Sequence, residues 1–427
     1  MRMWRRMGWI PFALPLWLAL MLVSSPAIAD PLRLTLKASV EEQYNDNIFW
    51  DAEEETEDFV TTISPEAVLG YQTARSGVTL RGRADVFYYE DNSDLNDADQ
   101  FYSAKLTHQW TPRSSTTLDA AYSDDNRPDR DLAETGLLFD SDRRKKWEGA
   151  LFNQYQLDET SSLGLSYSYL SEKYDEEDRS DLEGHFWGLF YSRNLSKYLA
   201  RTTGTIRLQG GFYDYTQGYS VEEPFLFGTI TNVVDYEQAI ENYALTLGAS
   251  HQWTQKLLVA LDVGTRYTQS ETTTSRSIIY SWDGRTDASD QTTDRSWGGV
   301  GTLEATYTGE TSRWTLLANH DLVPASGRNG LAERTKLVLS MSKRLTEDWT
   351  VHGSAGAFRN RSDGSEATTD IDEYSLQLSV GLTYALDEHW RIGGVYRLNW
   401  LDDREEDREY NRNLVSLVVD FNWPIWE

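Results

Sequence analysis

From just past its leader to its C-terminus, this chain repeats stretches of about ten residues in which apolar and polar side chains alternate, the length of a strand crossing a bilayer obliquely. Tyr374, Leu376, Leu378, Val380, Leu382 and Tyr384 alternate with Ser375, Gln377, Ser379, Gly381 and Thr383. A period of two puts the first set on one face of a strand and the second on the other. The apolar face carries rings at its ends and the other is small and polar, the inverse of a soluble sandwich once the apolar face meets lipid. The pattern predicts an all-β fold, a transmembrane antiparallel up-and-down β-barrel with a polar lumen.

Arg2, Arg5 and Arg6 precede an apolar run from Ile10 to Val23, and Ala27-Ile28-Ala29 forms a small-x-small cleavage site. This reads as a signal peptide over residues 1–29 and a mature barrel over 30–427, exported to the outer membrane of a Gram-negative bacterium. No later segment has the roughly eighteen uninterrupted apolar residues of a spanning helix. A mean hydropathy of −0.58 argues against a helical membrane protein or a large apolar core. With no cysteine there is no disulfide framework or thiolate metal site, and no cofactor is implied. The net charge of −28 weighs against nucleic acid as a partner and leaves outer-membrane lipid and lipopolysaccharide as the expected surroundings.

Short turn signals fall at 72–76, 111–114, 157–160, 194–197, 254–256, 309–312, 346–348 and 387–389. Long polar connectors fall at 45–58, 90–99, 124–142, 173–181, 214–235, 270–294, 323–331, 360–370 and 402–411. Eight short turns and nine long loops join eighteen strands and leave both termini on the short-turn side, the periplasmic side of such barrels. Strands near 183–192 and 221–234 do not alternate cleanly enough to orient.

Parity assigns faces elsewhere. Leu32, Leu34, Leu36, Ala38 and Val40 point to lipid, and Arg33, Thr35, Lys37 and Ser39 to the lumen. The candidate lumen-lining residues are Arg33, Lys37, Arg81, Arg83, Lys105, Arg207, Arg266, Lys336, Arg391 and Arg397, against fewer acids such as Glu66, Asp85, Asp119, Asp262, Glu304 and Asp420. Two readings are compatible with this set: pairing of charges that stiffens the wall, and an electropositive path for an anionic solute or polymer. Lumen positions such as Gln377 are expected to tolerate a charge.

Rings stand beside nearly every short turn: Tyr71, Trp110, Tyr155, Tyr198, Trp253, Trp314, Trp349, Tyr384, Trp390 and Trp423. Amphipathic rings favour the membrane interface, so this row predicts a periplasmic girdle. Acidic runs such as Asp51 to Asp58 and Asp402 to Asp407 fall in the long loops and read as solvated surface. Asp91 to Asp97 lacks the sixth-position glycine of an EF-hand loop, so its cation-binding signal is weak. His108, His251 and His320 take lipid-side positions, and G-x-S-x-G and H-E-x-x-H are both absent, so nothing points to catalysis.

The first strand runs through Val40-Glu41-Glu42-Gln43-Tyr44 into Asn45-Asp46-Asn47-Ile48-Phe49. In this motif, and in architecture across the mature chain, the sequence resembles the β-barrel porin-2 family of outer-membrane proteins, which occur with exopolysaccharide and exosortase-type systems. The resemblance implies a barrel that passes or guides polysaccharide, with periplasmic export components as partners. Asn45, Asp46 and Asn47 suit a strand-ending turn, with Ile48 and Phe49 tucked over the rim. The chain departs from the usual terminal aromatic: the last strand is expected to reach Trp423, with Pro424-Ile425-Trp426-Glu427 beyond.

The leading expectation is therefore translocation of a hydrophilic substrate, exopolysaccharide export by resemblance. The alternatives are a general or solute-selective diffusion porin, and a structural or receptor barrel with acidic extracellular loops. Loops folded into the lumen favour gating or selectivity, and a clear bore favours diffusion.

Overall fold

The computed structural model describes residues 32–127, 129–137, 142–176, 179–225, 228–280, 284–324, 330–362 and 370–426, so the expected leader lies outside the described residues. Its strands are β1 (Leu32–Asn45), β2 (Asp58–Gln72), β3 (Ser76–Tyr89), β4 (Asp97–Thr111), β5 (Ser114–Asp125), β6 (Arg144–Gln156), β7 (Ser161–Tyr174), β8 (Asp181–Asn194) and β9 (Thr202–Phe225). They continue as β10 (Gly228–Gln252), β11 (Leu257–Tyr280), β12 (Arg285–Thr308), β13 (Ser312–Pro324), β14 (Leu331–Arg344), β15 (Trp349–Ser362), β16 (Ile371–Ala385), β17 (Trp390–Asp403) and β18 (Arg408–Trp426). One helical turn, α1 (Leu132–Thr135), lies between β5 and β6.

Each strand pairs antiparallel with the next, and β1 pairs with both β2 and β18, closing an eighteen-stranded barrel. Closure satisfies the ladder of every strand where it crosses lipid, which an open sheet cannot do. The lipid face follows the alternation: Leu376, Leu378, Val380 and Leu382 are exposed on the outside of β16 while Ser375 is buried on its inside. An exposed apolar belt on a closed barrel, rimmed by rings at the short turns, places the chain in the outer membrane. Trp110 and Trp253 of that rim stand 61% and 65% exposed. Each packs edge-on against the histidine two residues before it, at 4.4 and 4.8 Å. Those rings, His108 and His251, hydrogen-bond the hydroxyls of Ser76 and Thr202.

Two sequence expectations about the strands need correction. The connectors expected at 214–235 and 270–294 are mostly strand. β9 to β12 run 24 or 25 residues each, well past the roughly ten needed to cross the bilayer, and rise beyond it as a sheet. Their surplus residues mix polar groups on both faces with scattered apolar ones such as Val221, Val233, Val234 and Ile279, so they carry no clean period-two signal although they pair fully with one another.

β18 continues past Trp423. Pro424 pairs with Thr35, a register shift skips Ile425, and Trp426 lies opposite Leu34 on the lipid-side parity. The bulge absorbs the proline and restores an aromatic end to the strand.

The strand near 183–192 does not alternate because its inner face is apolar as well. Phe190 of β8 faces inward, 5.5 Å from Phe152 of β6, and Phe186 packs edge-on against Tyr213 at 5.0 Å. Gly164 makes room: an added Cβ there would lie 2.3 Å from the Phe190 ring. The wall over β6 to β9 therefore carries apolar groups on both faces, and alternation fails where it is needed to assign them. The polar lumen lies along the opposite wall.

Candidate functional site in the barrel lumen

The described part of the connector between β5 and β6 does not project outward. Its start carries Arg127, Asp129 and α1 into the barrel, where Gly136 ends the helical turn in the left-handed region at φ 69°. An added Cβ at Gly136 would also collide with Phe358 and Ser375, so the position requires glycine twice over.

At the near end the loop is rooted by Arg144, whose side chain is 3% exposed and pairs with Asp125, Asp131 and Glu172. Arg130 bonds the carbonyls of Asp125 and Asp142. At the far end the loop reaches the opposite wall. Gln377 of β16 donates to the carbonyl of Leu132, and Asn360 of β15 to that of Thr135 at 3.0 Å. Leu137 is fully buried with Ala332 and Ile371. Arg412 of β18 donates to Asp129 at 2.6 Å, and Arg127 grips the same carboxylate through two 3.0 Å bonds. Burial alone would raise the Asp129 carboxyl, but the charges of Arg127 and Arg412 and their hydrogen bonds hold it well below the usual carboxylate range.

The Asn45-to-Phe49 motif meets this bridge from outside. Asn47 is fully buried: its Nδ2 donates to the carbonyls of Asp51 and Asn411, and its Oδ1 accepts from the Asp51 amide. Asp46 accepts from the backbone and side-chain amides of Asn413, locking the loop across the β1–β18 seam. Ile48 is buried as expected, but Phe49 is exposed; Trp50 tucks in instead. Trp50 adopts φ 54°, a strained setting for a non-glycine residue, and its ring lies 3.9 Å from the Arg412 guanidinium. One arginine thus joins the outer loop, the barrel seam and the inserted loop.

Between the inserted loop and the wall of β1–β3 and β15–β18 remains a cavity of about 890 Å³. Its lining runs along β1 from Lys37 to Asn45, on the order of 25 Å of strand, from the short-turn end, where His389 and Asn422 stand, to the outer end at Ile48 and Tyr89.

Among the described residues, at least seven of the ten sequence-predicted cations form ion pairs. Lys37 and Arg81 share Glu66 at 3.1 and 2.6 Å, Arg83 pairs with Asp85 at 2.9 Å, and Lys105 with Asp119 at 3.3 Å. Arg207 pairs with Asp262 at 2.9 Å, Arg397 with Glu41 at 3.4 Å, and Arg266 with Glu333. Arg391 lines the cavity without an ion pair among the described residues. Lys336 stands on the inward parity of β14 opposite Phe358. Arg33 stands near the short-turn end of β1, beside Gly70. Lys37, Arg83, Arg391 and Arg397 share the one cavity, whereas Arg207 and Arg266 belong to the β9–β11 side.

Arg127, Asp129 and Arg412 escaped the sequence reading because they fall in or beside stretches taken as surface loop. One signal marked the first two: the β5–β6 connector carries both arginines and leucines among its acids, unlike the acidic run from Asp51 to Asp58.

The fold and the divided lumen define an outer-membrane β-barrel whose interior is partly filled by one of its own loops. No protein-family model matches the chain, and no curated protein matches it. Solved structures similar in fold include the ferric-catecholate import receptor Fiu of E. coli, at 7% identity and a TM-score of 0.48, covering 93% of this chain and 82% of that one. The ferric yersiniabactin uptake receptor FyuA of Yersinia pestis matches at 9% identity and 0.47, covering 91% and 66%. The siderophore receptor PirA of Acinetobacter baumannii matches at 8% identity and 0.42, covering 93% and 81%. What those receptors take up is a property of those proteins.

Proposed function

We infer that this barrel is a solute-selective channel for small hydrophilic molecules, the porin alternative of the sequence reading. The observation that carries it is the continuous polar cavity along β1, beside a loop rooted on one wall and tied to the other. Eighteen strands enclose an aqueous bore unless something fills it. Here the inserted loop and the aromatic wall fill one side and leave a charged slot on the other. Because most slot cations have a carboxylate within 4 Å, selection falls on size and local polarity more than on net charge. Exopolysaccharide export draws no support from this geometry, since the loop narrows the path a polymer would need. The resemblance to the β-barrel porin-2 family supports the channel reading only through the shared Asn45-to-Phe49 motif.

The projecting sheet of β9–β12 favours a second reading, a receptor that engages a partner outside the cell. Reconstituted liposomes decide between the two. A channel swells in small sugars and amino acids with a sharp size cutoff, and trimming the β5–β6 loop raises the cutoff. Liposomes that stay impermeable to all small solutes until the loop is trimmed would exclude the channel and leave the receptor.

A further inference from the structure

Beyond transport, the topology leaves an unusual surface. β12 pairs with β13 only from Gly301 to Thr308, so Arg285–Val300 has β11 on one side and no strand on the other among the described residues. This is a sixteen-residue open edge, and its residues from Arg285 to Trp297 are all exposed. Open edges of this length are templates for strand addition, and natural sheets normally shorten, bulge or cover them.

The charges select the occupant. Asp290 and Asp294 lie on one face, four residues apart, and neither has an ion pair among the described residues. The other open edge of the same sheet is β9 beyond Thr216, which carries exposed Glu222 and Glu223. A second copy set with its own β12 against this one in the same membrane would bring Asp290 and Asp294 level with their counterparts, and like charges directly opposite destabilise a strand pair; against β9 of a second copy, Glu222 stands level with Arg285 and leaves Asp290 and Asp294 without a cation. An extended segment with lysine or arginine at alternate positions meets both needs, main-chain partners along the edge and cations opposite Asp290 and Asp294.

We propose that the open edge of β12 binds an extended basic polypeptide segment by β-strand addition on the outer surface. The proposal does not depend on the channel reading. The test uses the full barrel in detergent micelles and a peptide alternating lysine and threonine, with a glutamate counterpart and a version N-methylated at alternate residues. The lysine peptide should bind, and N-methylation should abolish binding by removing the main-chain donors. The variant D290K/D294K, its folding checked by heat-modifiable gel mobility, should lose about tenfold for the lysine peptide and gain for the glutamate one, because two cross-strand charge pairs change sign. The variant E53K/E54K in the first outer loop should leave both affinities unchanged. Equal binding of the methylated and unmethylated peptides, or equal loss in E53K/E54K, would reduce the effect to net charge and overturn the proposal. A concentration-dependent dimer disrupted by D290K/D294K would assign the edge to a second copy and overturn it as well.

Discussion

Asp129→Asn isolates the bridge that pins the inserted loop. The wild-type carboxylate compensates two guanidiniums; asparagine leaves both without it. The Arg412 side chain is 6% exposed, and breaking a buried pair from one side costs about 3–5 kcal/mol. Arg127 is 42% exposed, so solvent screens it and it adds little. Taking about 3 kcal/mol for Arg412 shifts the docked-to-released balance of the loop about a hundredfold. What still opposes release is about 1 kcal/mol for each hydrogen bond to the Leu132 and Thr135 carbonyls and about 2 kcal/mol for burying Leu137. The root at Arg144 is untouched, so the barrel itself should fold and show normal heat-modifiable mobility. In planar bilayers, wild type should show one small conductance, and Asp129→Asn frequent dwells at a larger one. The double variant D129N/R412M should recover most of the wild-type trace, because it removes the buried charge that the single variant strands. A single-variant trace like wild type, or a double variant more open than the single, would show that this pair does not hold the loop.

The same pair sets an acid limit. Since the docked Asp129 titrates below its ordinary value near 3.9, its contribution is complete above about pH 4 and is lost only as pH falls through the lowered value, so the excess of large-conductance dwells in Asp129→Asn over wild type should be flat from pH 8 to pH 5 and shrink in stronger acid. Leu378→Arg on the lipid face should cost the folded barrel about 2–4 kcal/mol by gel mobility. Gln377→Arg should leave the barrel folded yet increase large-conductance dwells, because the glutamine holds the Leu132 carbonyl rather than facing free water. Gly164→Val should lower the temperature of heat modification through overpacking of about 1–3 kcal/mol against Phe190, whereas Gly149→Ala, with nothing within 4 Å of the new methyl, should match wild type.

Alternation, turn spacing and aromatic punctuation were enough to read the barrel, its eighteen strands and the outward face of strands such as β1, β3, β16 and β17. Each is a local consequence of a pleated strand with lipid on one side and water on the other, so each is written residue by residue. The inward parity of Lys37, Arg83, Arg391 and Arg397 was legible for the same reason. Their partners were partly legible too, since Lys37 and Glu66 face each other across one strand pair. The direction of the β5–β6 connector was not. A polar loop with an arginine-aspartate run folds inward only if a carboxylate acceptor meets Arg412 and glycine fits beneath Phe358, groups more than two hundred residues away in the chain. The aromatic wall of β6–β9 hid for the converse reason, because side chains packed on both faces erase the period that reports on either. Sequence by itself determined that the chain closes a barrel in the outer membrane; only tertiary structure decided where the lumen is filled, where it stays open, and that one arginine ties Trp50, just past the Asn45-to-Phe49 motif, to the inserted loop, because those outcomes depend on which distant walls come within a hydrogen bond of each other.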